Sequence, residues 1–112
     1  MRKIYIVNYG PHMSEALEKL KKDYNDLIIL TEGNVNIFST DRLSYDIENK
    51  IKETNPSDKD YLLLGGNNVI NTIAALIFYE NVGKVNFLIY DAKNKEYVKR
   101  ENVRIKNGKR LF

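Results

Sequence analysis

The chain contains no cysteine and no tryptophan, and it has one histidine and two prolines in 112 residues. Without cysteine there is no disulfide framework, thiolate metal site or thiol nucleophile. A single imidazole with no thiolate also falls short of the ligand set of a structural zinc site. Long apolar runs are missing too, since no stretch approaches the roughly 20 residues that a membrane-spanning helix needs. The first residues enter a strand pattern directly instead of a signal-peptide layout. These absences predict a chain with no metal, no cofactor and no membrane segment, working in the cytoplasm. The length predicts one domain over residues 1–112.

Charge of one sign is also scarce, at a net +3, but it is unevenly placed. After Tyr90 the chain carries eight Lys and Arg against three Asp and Glu; up to Tyr90 it carries ten against twelve. A basic terminal segment can meet phosphates. Lys and Arg on a solvated sheet edge also prevent edge-to-edge pairing, and that reading is preferred here over nucleic-acid contact.

What is present is alternation. Lys3-Ile4-Tyr5-Ile6-Val7 reads as a buried strand stopped by Asn8-Tyr9-Gly10-Pro11. Ser14 offers an N-cap to a helix reaching about Asp23. Leu27-Ile28-Ile29-Leu30-Thr31 follows as a second buried strand, and Phe38 falls in a short loop expected to pack it. Ser39 or Thr40 then caps a helix whose Leu43, Ile47 and Ile51 form one stripe. That helix ends near Thr54, ahead of Pro56. Leu62-Leu63-Leu64 is a third strand and the helix from Val69 ends at Gly83 as its left-handed terminator. Val85-Asn86-Phe87-Leu88-Ile89-Tyr90 is a fourth strand, Glu96-Tyr97-Val98-Lys99-Arg100 an antiparallel edge, and Lys106-Asn107-Gly108-Lys109 the turn of a final hairpin. The order predicts an α/β fold: a three-layer, Rossmann-like open sheet with parallel strands in the order 2-1-3-4 and antiparallel C-terminal edge strands.

In such a sheet the carboxyl ends of the parallel strands lie on one edge, where ligands bind. The residues placed there are Asn8, Tyr9, Gly10 and His12 after the first strand, with Glu32 and Asn34 after the second. Gly65, Gly66, Asn67 and Asn68 follow the third, and Tyr90 ends the fourth. Glycines before a helix let an anion approach free N–H groups, and amides can read a phosphate, ribose or base edge. The same residues also make an ordinary tight turn with an Asn N-cap. The turn lacks both the Gly-x-Gly-x-x-Gly and the P-loop spacing. Tyr9 and Tyr90 could flank a base, whereas Tyr5, Phe78, Phe87 and Tyr97 read as core. His12 is the candidate acid or base, with Glu32 and Asp91 as carboxylate companions. The helix from Val69 to Tyr79 carries more apolar surface than one sheet face requires, which predicts a homodimer through it.

Two resemblances rest on these residues. Leu62-Leu63-Leu64-Gly65-Gly66-Asn67-Asn68-Val69-Ile70-Asn71-Thr72-Ile73-Ala74-Ala75 resembles the strand, Gly-Gly turn and alanine-bearing helix of CARF-type domains, dimeric modules that bind cyclic oligoadenylates. Asn67 and Asn68 stand where those domains have Thr and a basic residue. Over its whole length the chain is similar to small bacteriophage proteins. They share Lys3-Ile4-Tyr5-Ile6-Val7-Asn8, the Gly-x-His at Gly10 and His12, and Thr31-Glu32-Gly33 followed by Val35-Asn36. Asp60-Tyr61-Leu62-Leu63-Leu64 and the segment around Gly83-Lys84-Val85-Asn86 are also common to them. The expected function is non-catalytic binding of a nucleotide-type small molecule by a phage dimer in the host cytoplasm, with sequestration against host defence as its role. The alternatives are a module that docks on a host protein and a nucleotide hydrolase using His12.

Overall fold

The computed structural model describes residues 2–24 and 26–103, together with the backbone of residues 105, 106, 109 and 110. Strands β1 (Lys3–Ile6), β2 (Asp26–Ile29), β3 (Tyr61–Leu63), β4 (Val85–Asp91) and β5 (Glu96–Val103) form one sheet in the order β2-β1-β3-β4-β5. The first four are mutually parallel and β5 runs antiparallel along β4. Short strands β6 (Ile105–Lys106) and β7 (Lys109–Arg110) pair antiparallel as the expected hairpin. Its turn residues Asn107 and Gly108 lie outside the described residues.

Alternation along the strands builds two cores. Tyr5, Val7 and Leu62 face helices α2 (Thr40–Glu53) and α3 (Asn68–Val82), meeting Leu43, Ile47 and Ile51 from one and Ile70, Ala74 and Phe78 from the other. Ile4, Ile6, Tyr61, Leu63 and Leu88 point to the opposite face, against Met13 and Leu17 at and within helix α1 (Ser14–Leu20). The central strands β1 and β3 are therefore apolar on both faces, which is why they read as continuous hydrophobic runs. Edge-to-face contact between Tyr5 and Phe78, 5.2 Å between centroids, ties the sheet to α3.

Three local expectations need correction. Ser14 is not the N-cap of α1: Pro11, with its φ already suited to helix, starts a 3-10 turn over Pro11–Met13 that runs straight into the helix. β2 is half-buried, because it is the sheet edge and one side has no neighbour. Phe38 is 91% exposed, and the turn that holds it is fixed by its own N–H donating to Asn36 Oδ1, so it covers nothing.

The two edges of the sheet are finished differently. At the amino edge the buried Asp60 carboxylate accepts from the Lys3 and Ser57 N–H groups at 2.9 and 2.8 Å and pairs with Lys3 Nζ at 3.1 Å. Asn86 Nδ2 donates to the Asp58 and Asp60 carbonyls, and its Oδ1 accepts the Asn102 N–H. Tyr61 OH donates to Glu101 across β3 and β5. Burial, then that carboxylate, push the Tyr61 hydroxyl up to about 12. The amino edge is closed by polar partners, and the carboxyl edge is open.

Candidate functional site

The opening at the carboxyl edge follows from unequal helical cover. Two long helices shield one face of the sheet, while α1, only seven residues, stands on the other with the turn before it. Beside α1, over the ends of β1, β3 and β4, lies a cleft of about 480 Å³. It sits between β1 and β3, where the chain reverses its direction of winding and α/β sheets keep their ligands.

The β1 end is held by its own amide. Asn8 Nδ2 donates to the Gly33 carbonyl at 3.1 Å and Oδ1 accepts from Thr31 Oγ1 at 3.0 Å. Tyr9 continues the β1–β2 pairing through its N–H to Thr31 O and an isolated parallel bridge to Glu32. Across the cleft, Gly66 has φ of 77°, and a Cβ there would lie 2.8 Å from Asn8 Nδ2, so the Gly-Gly turn packs directly on the Asn8 side chain. A Cβ on Gly10 would lie 2.8 Å from His12 Cε1, since the imidazole folds back over that residue.

Of the residues placed at this edge from sequence, Asn8, Tyr9, Gly10, His12 and Asn34 line the cleft, as do Gly65, Gly66 and Tyr90. Glu32, Asn67 and Asn68 do not. Glu32 is an exposed bridge residue beyond the rim. Asn67 spends its Oδ1 on the Val69 N–H at 2.7 Å as the N-cap of α3, and Asn68 borders a shallow groove between α2 and α3. The Gly65 N–H is also taken, by Asn71 Oδ1 at 3.1 Å. Asp91 is not a companion of His12 either: hydrogen bonds from the Asn94 side chain and from the Asn94 and Lys93 N–H groups hold it in the β4–β5 turn and lower its pKa. Among the described residues His12 makes no hydrogen bond or ion pair, and no cluster of His, Asp and Glu could hold a metal.

Tyr97 is the wall residue that reading the sequence placed in the core. Antiparallel register sets it opposite Tyr90, and the rings meet edge to face at 5.3 Å. The available signal was the pair of tyrosines flanking the polar Asp91–Lys95 connection at matching hairpin positions. Burial raises the Tyr97 pKa, with Tyr90 adding to it. Ala16 and Met13 complete the α1 side, and the small Ala side chain leaves the space open. A second cleft of about 550 Å³ adjoins, sharing His12, Ala16, Tyr90 and Tyr97 and continuing past Glu15, Lys19, Asp23, Lys95 and Glu96.

The fold and the cleft define an α/β open-sheet domain with a pocket at its topological switch point. A family model described as Phage Pam3 gp32-like protein matches residues 2–104, and the chain belongs to that family. Comparison with curated proteins and with solved structures gave no match, so the CARF-type resemblance of residues 62–75 gains no support from either. No helix among the described residues is long and apolar enough to cross a membrane.

Proposed function

We propose that the chain binds a nucleotide-type small molecule without transforming it, holding the ring of the ligand in the carboxyl-edge cleft. The observation that carries this reading is the convergence of Tyr9, Tyr90 and Tyr97 with the Gly65-Gly66 turn in one cleft at the β1/β3 switch point. Its volume lies in the range of small-molecule sites. Aromatic faces stack on a base, and glycine backbone admits it closely. The described lining of this cleft has no Ser, Thr, Asp or Glu, and His12 has no hydrogen bond or ion pair with the carboxylates of the adjoining cleft, which favours holding over hydrolysis. For a phage protein, a binder of this kind acts by withdrawing its ligand from the host.

Titration against a panel of nucleosides, mononucleotides, cyclic dinucleotides and ADP-ribose-like compounds tests the reading. At a hundredfold excess over Kd a true ligand adds about 2.7 kcal/mol, a rise in Tm on the order of 10 °C. At the same ligand concentration Tyr90→Ala cuts that rise to about half or less, with the free protein's Tm lowered by only a few degrees, and chromatography recovers the ligand intact. No shift with any member of the panel contradicts it.

The homodimer belongs to the same proposal. α3 bears one charged residue, Glu80, in fifteen, and Leu76 on its outer side is 66% exposed. Leu76, set along the exposed row of α3 between Thr72 and Glu80, is the apolar side chain that such a contact would bury against a second copy.

A further inference from the structure

The cleft holds partners for an uncharged ring and sets no basic side chain of Lys or Arg against a phosphate. Among the described residues that line it there is no Lys and no Arg. Two of the backbone groups that a Gly-Gly turn before a helix usually presents to an anion are engaged: Asn71 Oδ1 takes the Gly65 N–H and Asn67 Oδ1 takes the Val69 N–H. The adjoining cleft sets Glu15, Asp23 and Glu96 against Lys19 and Lys95, so it gives a phosphate no net attraction either.

What the cleft does offer is neutral and unspent. Asn34, His12 and the hydroxyls of Tyr9, Tyr90 and Tyr97 have no hydrogen-bond partner among the described residues. An amide supplies a donor and an acceptor side by side, and a phenol or neutral imidazole supplies one of each. That set matches a planar heterocycle whose edge carries both donors and acceptors, with the tyrosine rings against its faces. The Asn8 side chain, already bound to Gly33 and Thr31, fixes the position of Gly66 and so the width of the slot.

We infer that the cleft recognises its ligand through the uncharged base alone and leaves any phosphate in solvent, so that a nucleoside binds as tightly as its nucleotide. The inference rests on the reading that this cleft binds nucleotide-type molecules. It reverses the usual arrangement in open α/β sheets, where the phosphate sits at the Gly-rich turn. It also sets the ligand apart from molecules recognised through several phosphates, including the cyclic oligoadenylates of CARF-type domains.

Calorimetric titration of the full chain with the four ribonucleosides and their 5′-monophosphates, at low and at high salt, decides it. The expected result is that for the base that binds, nucleoside and monophosphate differ by less than about threefold in Kd, and neither changes by more than that with salt. Tyr90→Ala and Asn34→Ala each weaken both ligands alike, Tyr90→Ala by about tenfold or more. Lys19→Ala and Lys95→Ala leave both unchanged. A monophosphate that binds ten times tighter than its nucleoside, or an affinity that collapses with salt or with either lysine, overturns the inference while leaving the cleft as a nucleotide site. Failure of every ligand in both series overturns the inference, and the reading beneath it falls as well when the cyclic dinucleotides and ADP-ribose-like compounds also fail.

Discussion

Gly66 and Asn8 show how single residues fix the cleft. A side chain at Gly66 meets both a positive φ, strained for any L residue, and the Asn8 amide at less than van der Waals distance. Gly66→Ala therefore costs about 1–3 kcal/mol in urea unfolding and displaces Asn8 from Gly33 and Thr31, so ligand affinity falls with it. Tyr61 makes a prediction at the other edge of the sheet. Its hydroxyl is raised from 10.0 to about 12, chiefly by burial and then by Glu101, so the folded chain binds this proton more tightly than the unfolded one. Its contribution is complete below pH 10 and is lost as the pH climbs through 12. Between those limits the Tm of the natural chain falls more steeply than that of Tyr61→Phe. Equal slopes would show that the Tyr61 hydroxyl is not the group responsible.

Among the elements, α3 carries the most information and has three separate duties. Ile70, Ala74 and Phe78 are buried against the sheet, Asn67 caps its start, and Gly83 ends it in the left-handed conformation. Each of these was legible in the sequence, because period, cap and terminator are local signals. The outward side is a separate matter. Leu76→Glu places a charge in the proposed dimer contact and shifts the chain from twice 13.1 kDa toward 13.1 kDa in light scattering. A natural chain already at 13.1 kDa throughout the accessible concentration range would end the dimer proposal. What sequence could not give depends on which side chains the fold brings together. Asn67 and Asn68 looked like ligand residues because they follow Gly-Gly, yet helix capping takes the first and the α2 side takes the second. Tyr97 read as core and does pack, partly buried, on the cluster around Tyr61 and Leu88, but antiparallel register also puts it beside Tyr90 at the cleft. Phe38 looked packed because it is large, but its loop is closed by Asn36 and not by burial.

For the molecule as a whole, the strand order was readable from the alternation of helices and strands, and the antiparallel edge from the mixed composition of β5. The cleft's existence depends on a global imbalance that no local pattern displays: two long helices on one face, a two-turn helix on the other, and an amino edge closed by Asp60, Asn86 and the Tyr61–Glu101 bond. Space, aromatic walls and unspent neutral polar groups then coincide at one place. The most direct test of that coincidence is an amide NMR titration of the isotope-labelled chain with the tightest-binding nucleoside of the panel. The expected result is chemical-shift changes confined to residues 8–16, Gly33 and Asn34, 64–66, and Tyr90 with Tyr97. Changes centred instead on α2 and α3, or no saturable change at all, would contradict it.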